Sequence, residues 1–258
     1  MTTTAKLTVL TGASRGLGAA MAEQLLEPGA TLLCLSRNVH PALAALADER
    51  GATVEQWPID LAEPVVAAQR LAGWLQRLDG EAFDSAVLIN NAAMLTAIGP
   101  LEEADAAEQS RALRVGLEAP LLLCAAFLRA TRDWRARRAG RCKVLNVSSG
   151  LGRFAMASQA NYCAVKAGLD HLSRSIALDQ EHAAHPARIV ALAPGVIDTE
   201  MQAQLRDGAA ERFPDRDRFV AMQLGGQLAS PADAAAKVLA YLERADFGAR
   251  PVADVRDA

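Results

Sequence analysis

The stretch that decides the fold is Thr11-Gly12-Ala13-Ser14-Arg15-Gly16-Leu17-Gly18, which directly follows a short apolar run and precedes a helical pattern. Glycine at position 12 permits a tight turn, glycine at 16 lets the backbone approach a phosphate, and glycine at 18 lets the helix pack closely on the strand. The helix N-terminus adds free N–H groups and the positive end of its dipole. This order of strand, glycine loop and helix predicts a dinucleotide-binding site.

Outward from this loop, short apolar runs alternate with longer segments of helical periodicity. Strands are predicted at residues 7–10, 31–35, 53–59, 86–89, 143–147, 189–192 and, weakly, 251–255, and helical patterns begin near residues 16, 41, 64, 101, 159 and 231. Such alternation indicates parallel strands joined by crossover helices, and strands that are almost wholly apolar indicate helices on both sheet faces. We therefore predict an α/β, doubly wound Rossmann fold with a mostly parallel seven-stranded sheet.

The chain shows no linker or repeat, so residues 1–258 are predicted to form a single catalytic domain. Two segments depart from the alternation. Residues 103–132 carry an unusually long helical pattern. Residues 199–230 have weak periodicity but many apolar side chains, and a long segment of this kind inside a compact domain favours a substrate lid over disorder.

Composition argues against several classes of function. The net charge of −3 gives no general attraction to nucleic acid, and the basic cluster between residues 129 and 143 is interpreted as a solvated helix end. No apolar stretch reaches the length of a membrane span. The cysteines form no C-x-x-C pair and, with no signal peptide apparent, predict free thiols in a cytoplasmic protein. His182 and His185 are interpreted as helix-end residues, so no metal site is predicted.

The end of the second strand distinguishes the two nicotinamide dinucleotides. An acidic residue there binds the free 2′-hydroxyl of NAD, whereas a basic residue favours the 2′-phosphate of NADP. Residues Ser36-Arg37-Asn38 occupy this place without an acid, and Arg15 in the glycine loop is a second phosphate ligand candidate. We predict NADP(H) as the cofactor.

Tyr162 and Lys166 are predicted to form the core of the catalytic site. They lie four positions apart, on one face of a helix, so the ammonium is expected to stabilise tyrosinate and lower its pKa toward neutrality. Tyr162 then serves as general acid or base. Ser149 follows the fifth strand, and its hydroxyl can hydrogen-bond a developing alkoxide. Ser148 is the alternative.

With these motifs in this order, nearly the whole chain resembles the short-chain dehydrogenase/reductase family, including its Ser–Tyr–Lys spacing. The resemblance implies that Ser149, Tyr162 and Lys166 are catalytic. It implies an adenine contact at Asp60 and a nicotinamide contact at Ile197 and Thr199. The full implied set of cofactor-binding residues is Gly12, Ser14, Arg15, Gly16, Leu17, Gly18, Arg37, Asp60, Leu61, Asn91, Ala92, Tyr162, Lys166, Pro194, Gly195, Ile197 and Thr199.

One position departs from the family pattern. Family members usually carry an Asn in the helix after strand four, which helps to hold a water that connects the catalytic Lys to solvent, and Gly116 stands there. We expect a working but altered proton relay. The family also implies a homodimer or homotetramer through this helix and the catalytic helix. Asp170 and Asp179, further along the catalytic helix, are expected to face solvent or a subunit partner.

The segments around Tyr162 and after Pro194 resemble the sepiapterin reductase and benzil reductase branch. This implies an NADP(H)-dependent oxidoreductase that reduces a small hydrophobic ketone or dicarbonyl, with Met94, Phe154 and Met156 beside the lid. Two alternatives remain open. One is a 3-oxoacyl or steroid-type short-chain reductase. The other is a catalytically impaired NADP-binding sensor or scaffold.

Overall fold

A computed structural model of the protein describes residues 5–134 and 141–257. Its strands form one seven-stranded sheet in the order β3-β2-β1-β4-β5-β6-β7, and every neighbouring pair is parallel. The predicted fold class is therefore confirmed. The strands are β1 (Lys6–Thr11), β2 (Thr31–Ser36), β3 (Thr53–Pro58), β4 (Ser85–Asn90), β5 (Cys142–Val147), β6 (Arg188–Ala193) and β7 (Val252–Asp254).

Helices cover both faces of this sheet. Because β4 follows β3 in the chain but lies on the other side of β1, the strand order reverses there and leaves a crevice at the carboxyl ends of β1 and β4. The helices are α1 (Gly16–Gln24), α2 (Leu43–Arg50), α3 (Pro64–Gln76), α4 (Ala106–Leu113), α5 (Ala119–Ala130), α6 (Ala160–Glu181), α7 (Glu200–Asp207), α8 (Arg216–Leu224) and α9 (Pro231–Leu242).

The central strands are apolar on both faces because each face has its own core. Leu10 and Leu32 pack with residues of α1 and α9 on one side, whereas Val9 and Leu33 pack with residues of α3 and α5 on the other. Adjacent residues of a strand point to opposite faces, so continuous apolar runs serve both cores. This double burial fixes the sheet that carries the crevice.

A π-helical segment at Arg114–Glu118 interrupts the long helical pattern between α4 and α5. Pro120 has no N–H, so it cannot donate the usual bond to the Gly116 carbonyl four residues earlier. The Ala119 N–H instead bonds to the carbonyl of Arg114, five residues earlier. This longer hydrogen bond accommodates one extra residue in the helical turn. Gly116 lies in that turn and packs against α6.

The segment at 199–230, predicted to be a substrate lid, contains the short helices α7 and α8. Each helix is too short for its periodicity to be evident in the sequence. In the basic cluster, Arg141 is buried and donates to the Gly80 carbonyl at 2.8 Å, so it is not solvated. Residues 135, 137 and 138 of that cluster lie outside the described residues.

Within residues 5–134 and 141–257, no helix combines the length and apolar character needed to cross a bilayer.

Candidate active site

A cleft of about 1100 Å³ opens at the carboxyl ends of the strands. Every residue that the sequence predicted for catalysis or cofactor binding lines it. These are Gly12, Ser14, Arg15, Gly16, Leu17, Gly18, Arg37, Asp60, Leu61, Asn91, Ala92, Ser149, Tyr162, Lys166, Pro194, Gly195, Ile197 and Thr199. Because they come from segments far apart in the chain, their meeting along one cleft is a tertiary result.

The glycine loop between β1 and α1 is shaped by close backbone contacts. Gly12 has φ +71°, and a Cβ atom at Gly18 would overlap the Gly12 carbonyl oxygen, so helix and loop approach more closely than any side chain allows. Ser36 accepts a hydrogen bond from the Ala13 N–H at 2.7 Å. The N-terminus of α1 has no side-chain cap. The loop at residues 12–18 and the start of α1 together form a glycine cradle that fits the pyrophosphate of a dinucleotide.

Charged side chains surround the far end of the cradle. Arg37 is exposed at the end of β2. Arg111 Nη2 lies 2.5 Å from Asp60 Oδ2. Burial opposes it, but the Ala62 N–H and Arg111 together lower the pKa of Asp60 below its ordinary value. Arg15 pairs with Glu200, the first residue of α7, so the glycine loop is tied to the proposed lid. No local sequence signal pointed to Arg111 or Glu200.

The side chains of Ser149, Tyr162 and Lys166 meet at the middle of the cleft. The hydroxyl of Ser149 hydrogen-bonds to that of Tyr162. Lys166 Nζ donates to the Val147 carbonyl at 2.7 Å and lies 5.5 Å from the centroid of the Tyr162 ring. Ser148, the alternative, is buried and donates to Asp170 instead. The geometry therefore favours Ser149 as the serine that meets a substrate.

Burial dominates the electrostatics of this triad. It raises the pKa of Tyr162 to about 12, although the Ser149 hydrogen bond acts in the opposite direction. It lowers the pKa of Lys166 to about 8, against the field of Asp170. The expectation that Lys166 would bring the pKa of Tyr162 toward neutrality is thus wrong for this structure, because desolvation outweighs it. Tyr162 is protonated across the neutral range, as a proton donor must be.

An apolar region adjoins the triad beneath α7 and α8. Phe213 and Phe219 stack with ring centroids 5.6 Å apart, and Leu205 packs beside them. Against this cluster lie Leu95, Ile98 and Met156. Met94, Phe154 and Met156, which the sequence placed beside the lid, line the same cleft. This end of the cleft suits an apolar ligand.

Comparison with known proteins bears on this arrangement. The sequence profile of short chain dehydrogenases matches residues 6–210. The chain belongs to the short-chain dehydrogenase family. The family membership predicted from the sequence is therefore confirmed.

Several members of this family are similar to the present dehydrogenase over most of its length. A benzil reductase ((S)-benzoin forming) of Bacillus cereus is 33% identical, covering 93% of this chain and 94% of that protein. A 3-oxoacyl-(acyl-carrier-protein) reductase of Vibrio harveyi is 32% identical over 78% of each. A solved metagenomic short-chain oxidoreductase in complex with NADP is 30% identical, with a TM-score of 0.69, and the match covers 93% of this chain and 92% of that one.

Gly116 of this short-chain dehydrogenase is buried against α6, the helix that carries Tyr162 and Lys166. A Cβ atom there would lie 2.5 Å from Val165 Cγ1, closer than real side chains approach. Gly168 is also used in this contact, since a Cβ atom on it would lie 2.9 Å from Leu117 Cδ2. An Asn at position 116 therefore has no room without displacing Val165. The departure from the family pattern is thus built into how the two helices pack.

Asp170 is the clearest error of the sequence reasoning, which had placed it at solvent or a subunit contact. It is 1% exposed and accepts a hydrogen bond from Ser148. The signal was available, because Asp170 lies four residues after Lys166 and so on the same helix face. Arg153 Nε lies 3.3 Å from Asp170 Oδ2, and no sequence pattern predicted this pairing.

Proposed function

We propose that this short-chain dehydrogenase is an NADP(H)-dependent carbonyl reductase acting on a small hydrophobic ketone or vicinal dicarbonyl. The observation that carries the proposal is the place of Tyr162 in the cleft that also holds the glycine cradle and the apolar region. Its hydroxyl is protonated and hydrogen-bonded to Ser149. A carbonyl group at this point has a proton donor on one side and a cofactor site on the other.

The proposed mechanism follows from the triad. The glycine loop and Arg37 would hold a nicotinamide dinucleotide, which would supply the hydride for the carbonyl carbon. Ser149 donates a hydrogen bond to the carbonyl oxygen, and Tyr162 transfers its proton to that oxygen as negative charge develops. The ammonium of Lys166 stabilises the resulting tyrosinate within a buried site, where an unpaired anion is costly. Because burial raises the pKa of Tyr162 to about 12, its hydroxyl holds the proton that carbonyl reduction requires.

NADP(H) is proposed as the cofactor because cationic groups stand where the ribose 2′-phosphate binds. Arg37 lines the cleft at the end of β2, and Arg15 lines it from the glycine loop. Residues 36–38 include no carboxylate to hold a free 2′-hydroxyl. The metagenomic relative in complex with NADP is consistent with this choice.

Replacing Arg37 by aspartate is expected to reverse the cofactor preference. Loss of a hydrogen bond to a charged group costs about 1.5–3 kcal/mol, or roughly 10- to 100-fold in affinity, and the new carboxylate also repels the phosphate. The ratio of kcat/KM for NADPH to that for NADH measures the effect. Arg77→Asp, at an exposed arginine at the end of α3, is the matched control and should leave the ratio unchanged. An unaltered ratio in the Arg37 variant would refute the assignment.

The proposed substrate class rests on the apolar region and on the relatives. Phe219 and Met156 line the cleft, with the fully buried Phe213 stacked behind Phe219, and offer surfaces suited to an aromatic or aliphatic body next to the reacting carbonyl. The benzil reductase relative supports a dicarbonyl. The acyl-carrier-protein reductase relative keeps a 3-oxoacyl thioester as the second candidate.

A panel of carbonyl compounds with NADPH tests the substrate class. Benzil is expected to be reduced with a kcat/KM about tenfold or more above that of a sugar, since its rings bury apolar surface that a sugar lacks. A similar margin over a 3-oxoacyl thioester or a steroid ketone is expected from the likeness to the benzil reductase. Phe154 is 72% exposed at the cleft, and Phe154→Ala should raise the KM for benzil. Leu101→Ala, which removes a side chain that is 61% exposed and does not line this cleft, should leave that KM unchanged.

Two outcomes of the panel would change the proposal. Turnover of sugars or simple alcohols without turnover of aromatic diketones would reject the substrate class. Binding of NADPH without reduction of any carbonyl would favour the sensor or scaffold, which Gly116 keeps open.

We also propose that the enzyme works in the cytoplasm as a homodimer or homotetramer. The four cysteines are free thiols, as a reducing compartment maintains. Leu121 of α5 and Leu178 of α6 are 44% and 59% exposed, on the helices through which the family resemblance implies assembly.

A further inference from the structure

A buried carboxylate lies one helical turn after Lys166, and the proposed mechanism leaves it unused. Asp170 is 1% exposed. Its Oδ1 accepts a hydrogen bond from Ser148, and its Oδ2 lies 3.3 Å from Arg153 Nε. Within the described residues, Oδ2 accepts no hydrogen bond of good geometry. A carboxylate is expensive to bury, so its retention beside the triad calls for a physical reason.

The protein is shaped around this carboxylate. Gly152, in the turn after β5, approaches it so closely that a Cβ atom would lie 2.8 Å from Asp170 Oδ2. The same turn carries Arg153, whose Nη2 also donates to the Ala253 carbonyl at 3.0 Å. Asp170 is therefore held in one position by β5, by this turn and, through Arg153, by β7.

Lys166 is the charged group that most needs such a neighbour. It is 3% exposed, and its Nζ donates to the Val147 carbonyl. Burial lowers its pKa to about 8, and the field of Asp170 acts in the opposite direction. Without a carboxylate nearby, a buried ammonium tends to lose its proton.

The other titratable and charged groups near this pair come from several elements. Tyr162 and Cys163 share α6 with Lys166. From the elements packed against α6, Arg153 faces Asp170, and Arg153 Nη1 lies 3.8 Å from Asp254 Oδ2 of β7. Arg256, which follows β7, pairs with Asp254, and Arg114 and Glu118 of the π-helical segment are exposed. Arg153 partly neutralises the carboxylate that supports Lys166.

We propose that Asp170 is a positioning residue that keeps Lys166 in its charged form, and that Arg153 limits how strongly it does so. This inference rests on the proposed function, since a charged Lys166 matters only if Tyr162 becomes a tyrosinate during turnover. The rate then follows the fraction of protonated Lys166 and falls as pH rises past its titration.

The test is the dependence of kcat on pH, with NADPH and benzil, for paired variants. Asp170→Asn is expected to move the alkaline limb of the profile to lower pH by about one unit, so that kcat above the limb falls about tenfold. On the acid plateau, kcat should stay within a few-fold of the wild-type value. Arg153→Gln is expected to move the limb to higher pH. Asp179→Asn makes the same chemical change at an exposed site on the same helix and should leave the limb in place.

Several results would overturn the inference. A uniform loss of rate at all pH values with no shift of the limb indicates a purely structural role for Asp170. A shift in the same direction for Asp170→Asn and Arg153→Gln also contradicts it. If Asp170→Asn does not fold, a profile for Arg153→Gln that matches that of the Asp179 variant is sufficient to reject it.

The pH dependence of the unfolding free energy tests the inference without any turnover. Since Lys166 loses its proton more readily in the folded state than in the unfolded state, the unfolding free energy should rise with pH above about 8, and Asp170→Asn should start that rise at lower pH.

Tyr162→Phe separates the Asp170 inference from the proposed function. Full activity of Tyr162→Phe would reject the proposed function itself. An inactive Tyr162→Phe, with Asp170→Asn matching Asp179→Asn, would reject the Asp170 inference alone.

Discussion

Replacing Tyr162 by phenylalanine is expected to lower kcat/KM for carbonyl reduction by about 10²- to 10⁴-fold, the usual contribution of a positioned general acid. The change removes one oxygen and keeps the buried ring, so the fold should tolerate it. The hydroxyl bonds to Ser149, and its burial keeps it protonated at neutral pH. The affinity for NADPH, measured by fluorescence titration, should change little, since the glycine cradle is untouched.

Tyr241 provides the matched control, because the sequence has two tyrosines. It lies on α9, with its ring 6.2 Å from that of Phe247 and outside the cleft. Tyr241→Phe should therefore retain nearly full activity. If Tyr162→Phe keeps more than a tenth of the wild-type rate, the proton comes from another group and the proposed mechanism is wrong.

Replacing Lys166 by methionine is expected to abolish most activity and yet to stabilise the protein near neutral pH. The folded state lowers the pKa of this lysine from 10.5 to about 8, which is worth about 3 kcal/mol of unfavourable free energy at roughly 1.4 kcal/mol per pKa unit. Methionine avoids that cost but loses the hydrogen bond to Val147, worth about 1 kcal/mol. The net gain is about 2 kcal/mol at pH 7.

The pH dependence of this gain identifies its origin. Below about pH 8 the lysine is protonated in both states, so the penalty is fully present. Between about 8 and 10.5 the unfolded state binds more protons, so the wild-type stability rises with pH and the advantage of Lys166→Met disappears. The folded-state pKa of Tyr162 is raised, which lowers stability above pH 10, but equally in both proteins.

Urea unfolding at pH 7 and at pH 10 measures the difference. Lys237→Met, at an exposed lysine on α9, is the control and should show neither the gain nor its pH dependence. A Lys166→Met protein that is less stable than wild type at pH 7 would mean that contacts in the folded protein fully offset the desolvation cost of the Lys166 ammonium. Together with the loss of activity, the expected result would show that Lys166 is retained for catalysis at the expense of stability.

Much of the fold and the candidate site was predictable from local sequence. The glycine loop after β1 needs backbone freedom at Gly12 and close packing at Gly18, and only glycine meets both needs. The apolar runs predicted seven parallel strands because helices on both faces leave no polar side to a strand. Tyr162 and Lys166 were recognisable because helix geometry sets neighbours four residues apart.

The tertiary structure decided the properties that depend on burial and on contacts between distant segments. Its position four residues after Lys166 placed Asp170 on the same face of α6, but the sequence did not show that this face meets the turn that carries Gly152 and Arg153. Nor did the sequence show that Gly116 is closed off by Val165. The sequence by itself identified Tyr162 and Lys166 as the candidate catalytic pair. How readily Tyr162 and Lys166 give up their protons is set by desolvation, which is a property of the packed protein.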